Sequence, residues 1–374
     1  MDLTDEGELV RASVREFVEA EVEPIAGEAE RTATFPEDVW DRLADLDLHG
    51  LRVPEAYGGL DADMLTYSLA NEELARGHLA LATALSVQCM VTECIATFGS
   101  EAHREEWLPG MATGRPVGAF ALSEPKAGSN PAEMTTRARR EGDEYVIDGT
   151  KQWITNGDRS DVVILFAKTD PEDPDTVTQF LVPKDVDGLA VGKHEEKLGL
   201  RASDTTTLVF EGARIPAENR LTEVGEGLAA AFSILNGGRV AIASQAVGVA
   251  QAALEDAVAY ANEREQFGEP IIEHQAIGHK LADMQANVKA ARLLARDAAR
   301  ANDGDVDPMA ASIAKLFASE TAVDVANEAV QVHGGYGYTT DFDVERYYRD
   351  AKITTIYEGT SEIQKEIIAR RLRR

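Results

Sequence analysis

Apolar positions change their period twice along the chain. Over residues 1–115 they recur at three-to-four spacing, as in GELVRASVREFVEAEVEPIA, which predicts helices buried along one face. PEDVWDRLADLDLHG predicts a helix stopped at Gly50, and Met64 to His78 and LATALSVQCMVTECIATFG predict two more. Residues 116–222 break into short β-branched and aromatic runs bounded by Gly, Asp and Pro: EYVIDGTKQWITNG, SDVVILFAKT, TVTQFLVPK and TTTLVFEGARIP. These predict antiparallel strands, with Asp148-Gly149 as a hairpin turn. From 223 to 374 the helical period returns in long alanine-rich stretches that suit closely packed antiparallel helices. The expected fold is α+β multidomain: an N-terminal all-α domain (1–115), a middle antiparallel β domain (116–222) and a C-terminal four-helix bundle (223–374).

Composition narrows the class. The 374 residues suffice for more than one core, and 44% of them are hydrophobic. Acidic residues outnumber basic ones 66 to 37, a formal charge of −29, so a phosphate backbone would meet a repelling field and no nucleic-acid partner is expected. Of the basic residues, 26 are Arg and 11 are Lys, a balance that suits a salt-adapted protein. No uninterrupted apolar run reaches the ~18 residues of a membrane span, and MDLTDEGELV lacks a signal peptide's basic and apolar regions. A cytoplasmic protein is expected. Cys89 and Cys94, with no further partner, read as small buried side chains in a reduced compartment.

Several apparent motifs fail on context. Gly225, Gly227 and Ala230 follow no strand and so make no dinucleotide fingerprint. Asp303, Asp305 and Asp307 begin like a calcium loop, but Pro308 and Ala314 occupy the required Gly and Glu positions, leaving a solvated helix connection. His274, His279 and His333 have no partner at metal-binding spacing, so no metal is expected.

Three stretches carry candidate chemistry. FALSEPKAGSN (120–130) places Gly128 and Ser129 at a turn suited to an anion or a polar ring edge, and equally to an ordinary loop. In KQWITNG (151–157), Trp153 and Thr155 lie two apart, on one face of a strand, where they fit either a planar cofactor or a core. In RYYRDAKITTIYEGTSEIQ (346–364), Tyr357-Glu358-Gly359-Thr360 interrupts two helices, and Ser361 with Gln364 has capping-box spacing. Glu358 there is either a loop acid or a carboxylate projected into a pocket as a base.

Together, and with RVPEAYGGLDAD, KLGLRASDTT, GRVAIASQAVGVAQ, EREQFG, EHQAIGHKLADM and AVQVHGGYGY in the same order, these stretches resemble the acyl-CoA dehydrogenase family, closest to its short- and medium-chain branch. The resemblance implies an FAD enzyme forming a trans-2-enoyl-CoA from an acyl-CoA. Glu358 would remove the α proton as the β hydrogen leaves as hydride to the flavin, and its own backbone N–H would help stabilise the enolate oxygen. Some relatives carry the base just before the arginine of the first bundle helix; here that position is Gly238, before Arg239.

The resemblance also implies the surroundings. Phe120, Leu122 and Ser123 would lie along the isoalloxazine, flanked by Trp153, Ile154 and Thr155, with Gly128 and Ser129 at the pyrophosphate and CoA. Thr360 and Glu362 would lie near the adenosine half. Arg264, Phe267 and Gln275, with Gln331, Gly334 and Gly335, would reach a neighbouring subunit's FAD in a homotetramer. Ser129, Asn236, Arg239, Tyr357 and Gly359 would meet the acyl-CoA, and an electron-transfer flavoprotein would take the electrons. Lys126, Asn130 and Asn236 depart from the family pattern, and the floor of the acyl pocket is expected within ALSVQCMVTECI. An oxidase, a dehydrogenase of branched or cyclic acyl-CoA, and a non-catalytic acyl-CoA-binding scaffold are the rival readings.

Overall fold

The computed structural model describes residues 3–170, 173–304 and 307–373. The chain starts as a helix because Thr4 accepts a hydrogen bond from Gly7 N through its side chain, opening α1 (Asp5–Phe17). A π turn at Val18–Val22 leads into α2 (Glu23–Thr32). Val14, Val18, Val22 and Ala26, four apart, are the buried stripe. The helix expected to reach Gly50 is shorter: α3 (Glu37–Arg42) gives way to 3-10 turns on either side of Asp47, whose φ of +53° breaks the helical path. α4 (Met64–Gly77), capped by Asp63, then α5 (Leu79–Phe98) and α6 (Glu101–Met111) complete this part.

The middle part is a sheet of β1 (Gly118–Ala121), β2 (Arg137–Glu141), β3 (Glu144–Thr155), β4 (Val162–Lys168), β5 (Val177–Pro183), β6 (Leu189–His194) and β7 (Thr205–Pro216). Its order is β1-β4-β2-β3-β7-β6, with β5 on β4. Most pairs are antiparallel, but β1 runs parallel to β4 and β2 meets β4 parallel at one pair, so the sheet is mixed. The β2–β3 hairpin lies between β1 and β4 in sequence and lets the chain return in the same direction. The predicted Asp148-Gly149 turn is inside β3 and paired with β7; the hairpin turns at Gly142, at φ +64°. The nearby bulge places its extra residue, Gly212, on β7 opposite Ile147 and Asp148; Gly149 is needed for close packing, since a Cβ there would come within 2.7 Å of Thr136 Cα.

The last part is α7 (Gly227–Glu263), a small β8 (Glu265–Gln266)–β9 (Glu269–Pro270) hairpin, α8 (Gln275–Ala301), α9 (Pro308–His333), α10 (Val344–Thr354) and α11 (Ser361–Leu372). The helices α7, α8, α9 and α10 pack together, α11 lies on α9, and α4 lies along α7. Gly248 permits that last approach, since a Cβ there would fall 2.2 Å from the Glu72 carbonyl oxygen. By length and composition α5 and α7 would each suffice to cross a membrane, although polar residues interrupt both. Their most apolar windows are 89% and 67% buried, and that surface is used in helix packing.

Asp307 caps α9 through the N–H groups of Met309 and Ala310, and Asp303 accepts from Met64 N, so these two acids serve helix connections. Asp305 lies outside the described residues. Cys89 and Cys94 are free and buried. Burial pushes the Cys89 thiol up to about 12, which keeps it protonated and unreactive.

Candidate active site

Glu358 lies in the break between α10 and α11, at φ +50°, followed by Gly359 at φ +95°. Such a backbone costs a non-glycine residue on the order of 1–3 kcal/mol and persists only when its surroundings impose it. They do so here. Gln364 Nε2 donates to the carbonyl oxygens of Glu358 (3.3 Å) and Gly359 (2.9 Å), and Lys315 Nζ donates to Gly359 O (2.8 Å). The Tyr357 hydroxyl donates to Gln245 Oε1 (3.2 Å), and Gln245 is fixed in turn by Asn71 and the Ala82 carbonyl. The cap of α11 is Thr360, accepting from Ile363 N, and not the expected Ser361–Gln364 box; Gln364 is committed to the loop carbonyls.

The loop turns the Glu358 carboxylate onto α7. A Cβ at Gly238 would stand 2.0 Å from Glu358 Oε2, and that oxygen is buried with no hydrogen-bond partner. Burial raises the carboxyl pKa to about 7, against the opposing pull of Arg239 and then Lys315. Arg239 is itself buried, which lowers its pKa, and its Nη1 donates to Asn236 Oδ1. Asn236 thus acts on Arg239, and Gly359 offers a carbonyl already taken by Lys315 and Gln364.

The two other stretches are stitched side by side. Gln152 N donates to Ser123 O (3.0 Å), Asn156 Nδ2 to Gly118 O (3.2 Å) and Lys151 Nζ to Leu122 O (3.1 Å). Phe120 packs on Phe166 with ring centroids 5.0 Å apart. Trp153 and Thr155 do not share a face through regular alternation. The β3–β7 register slips between Lys151 and Ile154, Trp153 takes φ +60°, and Ile154 is buried between them. The indole is left 55% exposed beside half-buried Leu122 and Ser123, a bare flat surface of the kind a tricyclic ring covers. Gly128 and Ser129 are exposed, with open space where a Gly128 Cβ would be. An FAD ring therefore fits the residues present.

The remaining cofactor candidates lie elsewhere. Arg264, Phe267, Gln275, Gln331, Gly334 and Gly335 are all exposed, and the Arg264 guanidinium lies 5.6 Å from the Tyr336 ring centre, joining the hairpin to the end of α9. From Gly238 to the end of α7 at Glu263 the helix rises roughly 38 Å at about 1.5 Å per residue, so this cluster is remote from Glu358 of its own chain. Thr360 is half-buried and Glu362 exposed, at the start of α11.

Sequence reasoning missed Lys315, because a lysine within a helical pattern carries no local signal, and took Gln364 for a capping-box partner when it holds the loop carbonyls. It also missed a buried pair, Lys151 Nζ to Glu124 Oε1 at 2.9 Å, and an acid in the expected pocket-floor segment. That acid, Glu93, stands 3.6 Å from Arg52, and its Oε2 would be 3.9 Å from a Gly237 Cβ. Burial raises the Tyr67 pKa, and the charges of Cys89, Glu358 and Glu93 act in the same direction.

Comparison with known proteins agrees with this arrangement. Domain descriptions for acyl-CoA dehydrogenases match residues 4–115 (N-terminal), 119–213 (middle) and 225–373 (C-terminal). The mitochondrial short-chain specific acyl-CoA dehydrogenase of Rattus norvegicus is 43% identical over 100% of this chain and 92% of its own. Among solved structures, butyryl-CoA dehydrogenase from Megasphaera elsdenii is 39% identical with a TM-score of 0.97, covering 100% of both chains. A glutaryl-CoA dehydrogenase from Mycobacterium smegmatis in complex with FADH2 is 36% identical, with a TM-score of 0.95 over 99% of this chain and 95% of that one. This chain belongs to the acyl-CoA dehydrogenase family.

Proposed function

We propose that this protein is an FAD-dependent dehydrogenase of short- or medium-chain acyl-CoA thioesters, with Glu358 as the base. The observation that carries the reading is the buried, unpartnered Oε2 of Glu358, turned onto bare helix backbone at Gly238. A base must reach an α C–H, a very weak acid, in a dry site with its own affinity for protons matched to the task. A carboxyl held near 7 by burial, with Arg239 and Lys315 close enough to favour its ionised form, meets that need. Its orientation is fixed before substrate arrives, through Tyr357–Gln245 and Gln364.

Bound FAD would accept the hydride. Leu122, Ser123, Trp153 and Thr155 would hold the ring, with the buried Ile154 anchoring the strand between Trp153 and Thr155. Gly128 and Ser129 would face the anionic parts of the ligands, and Thr360 and Glu362 the adenosine end. Arg264, Phe267 and Gln275, with Gln331, Gly334 and Gly335, would serve the FAD of an adjoining subunit, which makes a homotetramer the functional unit. The short-chain and butyryl-CoA names of similar proteins support short acyl groups, and an electron-transfer flavoprotein is the electron outlet that the family resemblance implies.

Anaerobic titration with a panel of acyl-CoAs tests the reading. Short straight chains should bleach the flavin, and Glu358→Gln should keep the yellow FAD protein while losing dehydrogenation by several orders of magnitude. Near wild-type turnover in that variant would overturn the assignment, and rapid reoxidation of the reduced flavin by oxygen would make the protein an oxidase.

A further inference from the structure

Helix α9 carries a lysine with no exposed surface, Lys315. Lysines are rarely buried completely unless paired with an acid. Lys315 makes no ion pair among the described residues. Its ammonium donates to the Gly359 carbonyl, one residue beyond the base, at 2.8 Å. Burial lowers its pKa to about 8, with Glu358 the foremost charge acting in the other direction. The other ionisable groups around the centre are Arg239 from α7, Tyr67 from α4, Glu362 from α11 and Glu320 on α9 itself. Glu362 is exposed and Glu320 is drawn to Lys365, so the buried counterpart of this ammonium is the Glu358 carboxylate.

We propose that Lys315 is a positioning residue for proton abstraction: it anchors the Gly359 carbonyl so that Glu358 stays turned onto Gly238, and its charge favours the ionised carboxylate before substrate binds. The inference rests on the reading of Glu358 as the base. The anchor is needed because two successive left-handed residues, Glu358 and Gly359, would relax if their carbonyls were released. Gln364 supplies the second hold on the same oxygen from α11, so two helices fix it from different sides.

The test separates anchor from charge. Lys315→Gln keeps a donor for the Gly359 carbonyl and removes the charge, Lys315→Met removes both, and Lys315→Arg keeps the charge. Each FAD-loaded variant is assayed for kcat and kcat/KM with butyryl-CoA from pH 5 to 9, alongside flavin content and Tm. The acidic limb of kcat/KM should move up by about one pH unit in the Gln and Met variants, the effect of losing a nearby opposite charge, and stay in place in the Arg variant. The plateau kcat should fall tenfold or more in Met alone. Limbs unmoved in both Gln and Met, with only Tm or flavin content lowered, would reduce Lys315 to a structural residue. If the Met variant does not fold, the Gln and Arg limbs decide. An active Glu358→Gln would instead overturn the base assignment, so the two failures are distinguishable.

Discussion

The carboxylate of Glu358 rests where the side chain of residue 238 would be: a Cβ on Gly238 would stand 2.0 Å from Oε2. Gly238→Ala therefore cannot coexist with the present position of the base. Alanine suits a helix interior better than glycine by about 1 kcal/mol, so the fold should survive. The carboxylate must withdraw, and a displacement of about 1 Å in a reacting group can cost on the order of 10²-fold. A loss of that size in kcat, with Tm unchanged or raised, is expected. Wild-type kcat in Gly238→Ala would mean that the Glu358 position is not the reactive one.

The same carboxyl sets opposite demands on rate and stability. With its pKa raised to about 7, Glu358 is protonated below neutrality, so kcat/KM should fall about tenfold per pH unit on the acid side. For stability the sign reverses. The folded state binds this proton more tightly than the unfolded chain, so the contribution is fully present below about 4.5 and is lost as pH rises through about 7. Glu358→Gln, which cannot ionise, should unfold at higher urea than wild type at pH 8, by about 1–3 kcal/mol, and show little difference at pH 4.5. Equal stabilities at pH 8 would contradict a strained, desolvated base.

Lys151 and Glu124 test the scaffold beneath the ring surface. Both are buried; Glu124 also accepts from Thr135 N and Thr136 N, and Lys151 reaches the Leu122 carbonyl. Against the cost of its burial, Lys151 and these N–H groups hold the Glu124 carboxyl down at about 2. Its contribution is present above about 4.5 and lost as pH falls toward about 2. Lys151→Met strands that carboxylate and should destabilise by about 3–5 kcal/mol in urea unfolding at pH 7. It should also weaken FAD retention, because the Leu122 carbonyl loses its tie to the Lys151 side chain of β3. A change below 1 kcal/mol would show that the pair is not a support.

These cases mark what could be read from the residues in order. Helix period and strand composition delivered the three-part architecture, because burial of apolar faces is a local pattern. The parallel β1–β4 pairing and the bulged β3 were not legible: which strand lies beside which depends on chain return, and Gly149 looks like a turn glycine until Thr136 is seen packed against it. Motif order pointed to Glu358, Trp153 and Arg239. Lys315 and Glu124 were silent, and Gln364 was legible only as a cap, because each works through a partner between 5 and 44 residues away, which only the fold brings near.

The charge of −29 invites a test of the salt-adaptation reading. Raising ionic strength from 0.1 to 1 M shortens the Debye length from about 10 to about 3 Å, which removes most repulsion between surface carboxylates. Tm should rise steadily over that interval in potassium chloride, and the rise should shrink when surface acids are replaced by glutamine. A flat or falling Tm would leave the acidity without this role.

Phe267 offers the most direct test of assembly. Its ring is 96% exposed on the β8–β9 hairpin at φ +56°, so this residue contributes little to the core of its own chain. Burying such a side chain against a neighbour is worth roughly 1.5–3 kcal/mol, or about 10- to 100-fold in an equilibrium constant. Phe267→Ala should therefore leave the unfolding of the isolated subunit almost unchanged while weakening both tetramer formation and FAD retention. Sedimentation at graded protein concentration, read with flavin absorbance, checks this: smaller species should carry less flavin. A variant that dissociates yet keeps full FAD would show that each subunit completes its own site, and the cluster from Arg264 to Gly335 would need another purpose.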